Sequence, residues 1–371
     1  MTPSIPDQDL EAFIDQSGWN PDIIDHPHKM DSMWDIALYK EAWNLYEVMR
    51  TSNLIRSDGL LYNFLDGQRN SHAPDIYPDD AISYGMFIDA LGLREESMAI
   101  HTSLQKAKGL ITYDGLAQET MNDQGFVTRG NIMTNTNCQY GILLCNNGDE
   151  QYAKRVLDGL KGRNLVRDDN LICTGTDHLG KPCLDVVNPT CNAWYGMLLK
   201  ATGHDDEAER VHTTIMNTLV SEEGLVMETK HSNKMQLSGT KDHLYYGLLL
   251  SSLGKRKEAQ GLISIMRDQG FMDIDGLVKP NHMPPVVHRN VYTDHNALYG
   301  SLLQSIGEYA QARDVYRCIR KRGTILDDGL AYISSDGQFN VIPAHSNALL
   351  GIFLSGRYTS LTGKKTQTGS S

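Results

Sequence analysis

The chain has 371 residues, a formal net charge of −12 and a pI near 5.5, which argues against a nucleic-acid partner or an anionic membrane surface. No apolar run approaches the roughly 20 residues needed to span a bilayer. Six cysteines without a CxxC pair read as reduced thiols, and with no N-glycosylation sequon and no basic-then-apolar leader in MTPSIPDQDLEAF, a cytoplasmic protein is expected.

In chain order, residues 1–30 are unpatterned and rich in Pro, Asp and His, and are expected to wrap the surface. The first helix is expected at about 31–50, where Trp34, Leu38, Leu45 and Val48 make an apolar stripe. A repeat follows. DDAISYGMFIDALG at 79–92 recurs as TNTNCQYGILLCNNG, NPTCNAWYGMLLK, TKDHLYYGLLLSSLG and TDHNALYGSLLQSIG, and a sixth copy, AHSNALLGIFLSG, puts Leu350 where the others have Tyr. The tyrosines fall at 84, 140, 195, 246 and 299, a period of about 50 to 56 residues.

Each copy is followed by a more charged helical pattern, such as Asp205 to Leu219, and then by a turn centred on Gly-Leu: Gly59-Leu60, Gly115-Leu116, Gly224-Leu225, Gly276-Leu277 and Gly329-Leu330, with Asn170-Leu171 standing in once. An apolar helix that returns six times with a charged partner is best buried as an inner ring. The pattern therefore predicts an all-α (α/α)6 toroid of six inner and six outer helices with short hairpin turns, as one domain over 31–358. The tail 359–371 is polar and of low complexity, and is expected to be disordered.

The N-terminal ends of the inner helices carry polar residues. Five before the Tyr (or Leu350) stand Asp79, Asn135, Thr190, Lys241, Asp294 and His345; four before, Asp80, Thr136, Cys191, Asp242, His295 and Ser346; three before, Ala81, Asn137, Asn192, His243, Asn296 and Asn347. Helix capping accounts for the Asp, Asn, Thr and Ser residues, but His243, His295, His345 and Cys191 are poor caps. Parallel inner helices would gather these ends at one mouth of the barrel, where six helix dipoles favour ionised groups.

The polar ring therefore makes Cys191, Asp242, His243, Asp294, His295 and His345 candidate catalytic groups. Asp79, Asp80, Asn135, Asn137, Asn192, Trp194 and the five repeat tyrosines, Tyr84, Tyr140, Tyr195, Tyr246 and Tyr299, are the candidate substrate-binding residues. Tyr195, one turn below Cys191, would face the lumen with it, and aromatic faces there would suit an apolar substrate or a carbocation. Cys145 and Cys318 read as inert thiols. The insertion from Leu171 to Asn188, with Cys173 and Cys183, reads as a lid or wall.

The segments LICTGTD and PTCNAWYGMLLKATGHDDEAE, with GNIMTNTNCQYGILLCNNG before them, resemble the linalool dehydratase/isomerase family, over about 131–203. The resemblance implies an (α/α)6 barrel and metal-free hydration, dehydration or isomerisation of an isoprenoid alcohol, with Cys173 and Cys191 as the family cysteines, which adds Cys173 to the candidate catalytic groups. One departure stands out: the family's inner-helix His falls on Asn135 or Asn137, leaving His243, His295 or His345 to take the acid/base role.

The expectation is thus a lyase or isomerase, of dehydratase-isomerase or cyclase type, acting without cofactor on a small apolar alcohol or alkene in the lumen, with a homo-oligomer left open. Two alternatives stand beside it: a carbohydrate-active barrel using paired carboxylates among Asp79, Asp80, Asp242 and Asp294, and a noncatalytic helical scaffold. Cys191, His243 and His295 would be the zinc ligands if there were a metal, but no tight ligand spacing supports one.

Overall fold

The computed structural model describes residues 33–66, 75–122, 124, 126–230, 234–280, 291–334 and 341–362. The segment 1–30, expected to wrap the surface, lies outside the described residues. The helices are α1 (Met33–Thr51), α2 (Pro78–Ala90), α3 (Arg94–Lys106), α4 (Thr134–Asn146), α5 (Glu150–Gly162), α6 (Pro189–Ala201), α7 (Asp205–Thr218), α8 (Thr240–Ser252), α9 (Arg256–Asp268), α10 (Thr293–Ile306), α11 (Tyr309–Lys321), α12 (Ala344–Ser355) and the short α13 (Thr359–Thr362).

The six repeat helices, α2, α4, α6, α8, α10 and α12, each pack on the two beside them, and α12 packs back on α2. This closed inner ring is surrounded by α3, α5, α7, α9 and α11, with α1 covering α12, so the expected (α/α)6 toroid is observed. The outer helices are amphipathic. In α5 only Ala153, Val156, Leu157, Gly159 and Leu160 are buried, a stripe at three- and four-residue spacing. The inner helices are buried nearly all round, as in α6 from Cys191 to Leu199.

Glycine in the Tyr-Gly pair has a packing reason. A Cβ on Gly85 would lie 2.8 Å from Leu143, on Gly141 2.6 Å from Leu198, on Gly196 2.8 Å from Leu249 and on Gly247 2.7 Å from Leu302, with Gly300 pressed on Phe353 and Gly351 on Phe87. Each glycine thus receives the side chain two places past the glycine of the next inner helix, and the last contact closes the circle.

The Gly-Leu turns form six equivalent two-residue bridges, Ile55 with Leu61, Ile111 with Ala117, Val166 with Ile172, Val220 with Val226, Met272 with Val278 and Ile325 with Ala331. Their tips need a left-handed residue, φ 88° at Gly115 and 81° at Gly224, and Asn170 adopts φ 69° where glycine is missing. Small antiparallel sheets sit beside them: β1 (Phe64–Asp66) with β7 (Val341–Pro343), β2 (Asp75–Ile76) with β3 (Gln118–Asn122) and β4 (Val127–Ile132), and β5 (Met227–Lys230) with β6 (Lys234–Leu237). The β1–β7 pair, with Leu65 opposite Ile342, ties the first repeat to the last at the mouth.

The ordered chain runs past the boundary expected at 358. Within the segment expected to be a disordered tail, α13 packs against α2, α4, α6 and α8, and Leu361 is buried. Its apolar side chain finds cover that composition alone did not reveal.

Candidate active site at the barrel mouth

The inner-helix starts converge on a pocket of about 530 Å³. Its walls take Asp79 and Asp80 from α2, Asn135 and Gln139 from α4, and Thr190 and Trp194 from α6. Lys241 and Tyr245 come from α8, and His345 and Ser346 from α12. Asn63, Phe64, Ile333, Val341 and Pro343 add a rim from the turns and the β1–β7 pair. A larger groove of about 850 Å³ lies on the outer side, between Tyr113 and Arg163 along α5, and shares none of these residues.

Most inner-helix residues of the wall come from the rows five before and one before the repeat tyrosine, four residues apart on one helical face, with Asp80 and Ser346 added from the row four before. Asp79 and Asp80 stand together on α2. Burial raises both carboxyls, Asp80 well above the ordinary range with the Asp79 charge adding to it. The Asn63 side chain donates to Asp80 at 2.8 Å, and the backbone N–H of His345 also bonds to it. Burial, with Lys241 adding, pushes the His345 imidazole down to about 4, so it is neutral near pH 7.

Across the ring from α2, Lys241 pairs with Asp294 at 2.5 Å, and Asp294 also accepts from the His295 ring and backbone N–H, both at 2.8 Å. Burial would raise the Asp294 carboxyl, but the Lys241 ammonium and the His295 ring hold it well below the ordinary range. Trp194 and Tyr245 form a tilted aromatic wall, ring centroids 5.1 Å apart.

Several expected site residues serve the scaffold instead. Asn137 accepts the Ala117 N–H at 2.7 Å and donates to the Ala117 carbonyl at 2.9 Å; Asn192 does the same with Ile172, Asn296 with Val278 and Asn347 with Ala331. Asn137 and Asn192 are thereby removed from the substrate-binding set, because their amides are consumed in pinning each Gly-Leu turn to its inner helix. His243 fills the same slot. Its Nε2 accepts the Val226 N–H and its Nδ1 donates to the Gly239 carbonyl, both at 3.0 Å, and with burial lowering it to about 4 it is a neutral structural group, away from the pocket.

The repeat tyrosines occupy equivalent positions on five inner helices, but none lines the pocket. Tyr140 bonds to His101 of α3 at 2.6 Å and Tyr246 to His212 of α7 at 3.2 Å, while Tyr299 donates to Met272 at 3.7 Å. Tyr84 and Tyr195 are likewise buried. The tyrosines fill the space between the rings, because the lumen face is set by the residue one place earlier.

Cys191 is buried beside the mouth without lining it, and burial pushes its thiol up to about 12, against the lowering expected from the helix dipole. Its sulfur faces the backbone N–H of Asn135, as Asp242 accepts the Thr190 N–H at 3.2 Å and hydroxyl at 2.7 Å. These side chains satisfy backbone N–H groups at the starts of the preceding inner helices, α4 and α6, while Asn188 also caps α6 from within by accepting the Cys191 N–H at 3.1 Å. Cys173 is fully buried and donates to the Gly175 carbonyl at 3.4 Å. Its loop is tied down: Thr134 bonds to the Cys173 carbonyl at 2.6 Å, which fits a wall and not a moving lid.

His295 stays next to Asp294, outside the pocket wall. Among the described residues no cluster of three or more His, Cys, Asp or Glu is placed to hold a metal ion, so Cys191, His243 and His295 do not form a ligand group. Ser83, Gln139 and Tyr245 were missed as site residues. The signal was present: Ser83 and Gln139 are polar residues in the middle of otherwise apolar helices, one turn past Asp79 and Asn135.

No family model and no curated protein matches the chain. Solved structures do. A D-mannose isomerase aligns with TM-score 0.73 at 11% identity, over 88% of this chain and 99% of that one. A sugar epimerase from a ruminal bacterium aligns with TM-score 0.70 at 12% identity, over 87% and 98%. A variant of an alpha-1,6-mannanase of Salegentibacter sp., described as inactive with two consecutive aspartates replaced, aligns with TM-score 0.61 at 14% identity, over 87% and 99%. The chain is an (α/α)6 barrel. At these identities the likeness establishes the fold, and the resemblance to linalool dehydratase/isomerase has no support beyond the barrel it implied. Among the described residues no helix is long and apolar enough to cross a membrane.

Proposed function

We propose that the barrel is a carbohydrate-active enzyme that moves protons on a small neutral sugar at its mouth, as an isomerase or epimerase does. The observation that carries this is the lumen-facing row itself, which presents carboxyls, an amide, a hydroxyl, an ammonium and an imidazole around one aromatic wall instead of the apolar lining an isoprenoid would need. A pocket of about 530 Å³ is of small-molecule size, within the usual range of about 300–1,000 Å³. The solved barrels it resembles include a sugar isomerase and a sugar epimerase, which supports the substrate class.

In this reading His345 takes a proton from the carbon beside the sugar carbonyl, and Asp79, backed by Asp80, supplies one to the developing alkoxide. Burial raises the carboxyls, which favours a protonated acid, and lowers the imidazole, which favours a neutral base. Lys241 faces them across the ring and supplies positive charge to the intermediate. Trp194 and Tyr245 pack on the apolar face of the sugar ring.

A second reading, glycoside hydrolysis by Asp79 and Asp80, has one observation in its favour: the mannanase described as inactive has two consecutive aspartates replaced. The test is a panel of aldoses and ketoses in deuterated water followed by proton NMR. Interconversion with deuterium entering beside the carbonyl is expected. Hydrolysis of aryl glycosides without interconversion selects the second reading, and turnover of a prenyl alcohol alone would overturn both.

A further inference from the structure

The row one place before the repeat tyrosines holds Trp194, Tyr245, Leu298 and Leu349 in four repeats and Ser83 and Gln139 in the other two. A polar residue buried at the centre of an inner helix costs stability unless it is bonded, and both are buried, at 1% and 3% exposure. Their bonds lead to His345. Ser83 Oγ lies 3.3 Å from Gln139 Oε1 and 2.9 Å from His345 Nδ1, linking α12, α2 and α4.

We infer that Ser83 and Gln139 are positioning residues that fix His345 in the tautomer with the proton on Nδ1 and the lone pair on Nε2, available to a ligand in the pocket. This deepens the reading of His345 as the base in sugar proton transfer, and rests on it. The number of available protons fixes the direction of each bond. A serine hydroxyl has one to give, and Gln139 Oε1 can only accept, so Ser83 donates to Gln139. Its oxygen then receives from His345, which requires Nδ1–H and leaves Nε2 unprotonated. The opposite tautomer would set the Ser83 and Gln139 oxygens facing each other as two acceptors.

Among the described residues no charged group bonds His345 Nδ1. Asp80 is engaged by Asn63 and by the His345 backbone N–H, while Lys241 and Asp294 face His345 from α8 and α10 as a mutual pair. Asp79 is the remaining carboxyl on this side, on the pocket wall with His345. Neutrality of the imidazole near pH 7 fits, since a single tautomer exists only in the uncharged ring.

The test is ¹⁵N NMR of the histidine-labelled full chain without substrate, with His345 assigned by His345→Gln. Expected are a pyrrole-like Nδ1 and a pyridine-like Nε2 shift in the wild type, mixed tautomers in Ser83→Ala and Gln139→Leu, and retention of the wild-type pattern in Ser83→Thr and Gln139→Glu. On whichever sugar is turned over, Ser83→Ala and Gln139→Leu should lower kcat by about 10–100-fold with KM little changed. A wild-type spectrum with Nε2 protonated, as a reversed Gln139 amide would impose, overturns the inference, and so does an unchanged tautomer in both disruptive variants. The spectrum is read without turnover, so it stands or falls separately from the sugar reaction.

Discussion

His243 Nε2 accepts the Val226 backbone N–H at 3.0 Å, the bond that an asparagine side chain makes in four of the other repeats. One scaffold position thus carries two residue types with the same acceptor. An asparagine also donates to the carbonyl of the turn residue, which the imidazole does not.

His243→Asn is therefore expected to fold, and to change how stability responds to acid. The folded pKa of about 4 lies below the unfolded 6.5, so the His243 contribution is complete above pH 6.5 and is lost as pH falls toward 4, at up to about 1.4 kcal/mol per pH unit. Over the whole interval this amounts to about 3 kcal/mol. His345 titrates the same way and remains, so the variant should show a shallower acid decline, not a flat one. Thermal unfolding at pH 8 and pH 5 checks this; an identical Tm difference from wild type at both pH values refutes it.

The glycine circle predicts opposite signs for two similar substitutions. Gly351→Ala puts a methyl into Phe87 and should cost about 1–3 kcal/mol as overpacking. Gly261→Ala, on the exposed side of α9 with open space around it, should stabilise by about 0.5–1 kcal/mol. Denaturant midpoints measure both, and equal effects would contradict the packing described here.

Cys191→Ser and Cys191→Ala should keep turnover within a few-fold. Burial pushes the thiol up to about 12 and its sulfur faces the Asn135 backbone N–H beside the pocket, which fits a structural role. A drop of about 10²-fold or more, the size a positioned acid or base contributes, would restore the thiol mechanism that the sequence suggested.

Asp79→Asn, Asp80→Asn and His345→Gln should each lower kcat by about 10²–10⁴-fold while the fold persists, measured by NMR of sugar interconversion and by far-UV circular dichroism. Trp194→Leu should act mainly on KM, because it removes a binding face and not a proton carrier. Full activity in all three polar variants would place the chemistry elsewhere in the barrel.

The repeat, the closed double ring and the convergence of polar helix starts were determined by the sequence alone. A period of about 50 to 56 residues marked by Tyr-Gly survives in one dimension, and each unit can bury its apolar helix only against its neighbours. Within that ring, Asp79, Asp80, Asn135, Trp194 and His345 were expected from the sequence to gather at the mouth, and they line the pocket there. The direction of each side chain was decided only by the tertiary structure. An inner helix is buried on every side, so it has no polar face from which the lumen can be read, and the tyrosines could not be told from the residues just before them. The same holds for Asn137, Asn192, His243 and Cys191. Their partners are backbone groups on a turn 17 to 20 residues earlier or on the neighbouring inner helix, and only the closed ring brings those groups within bonding distance.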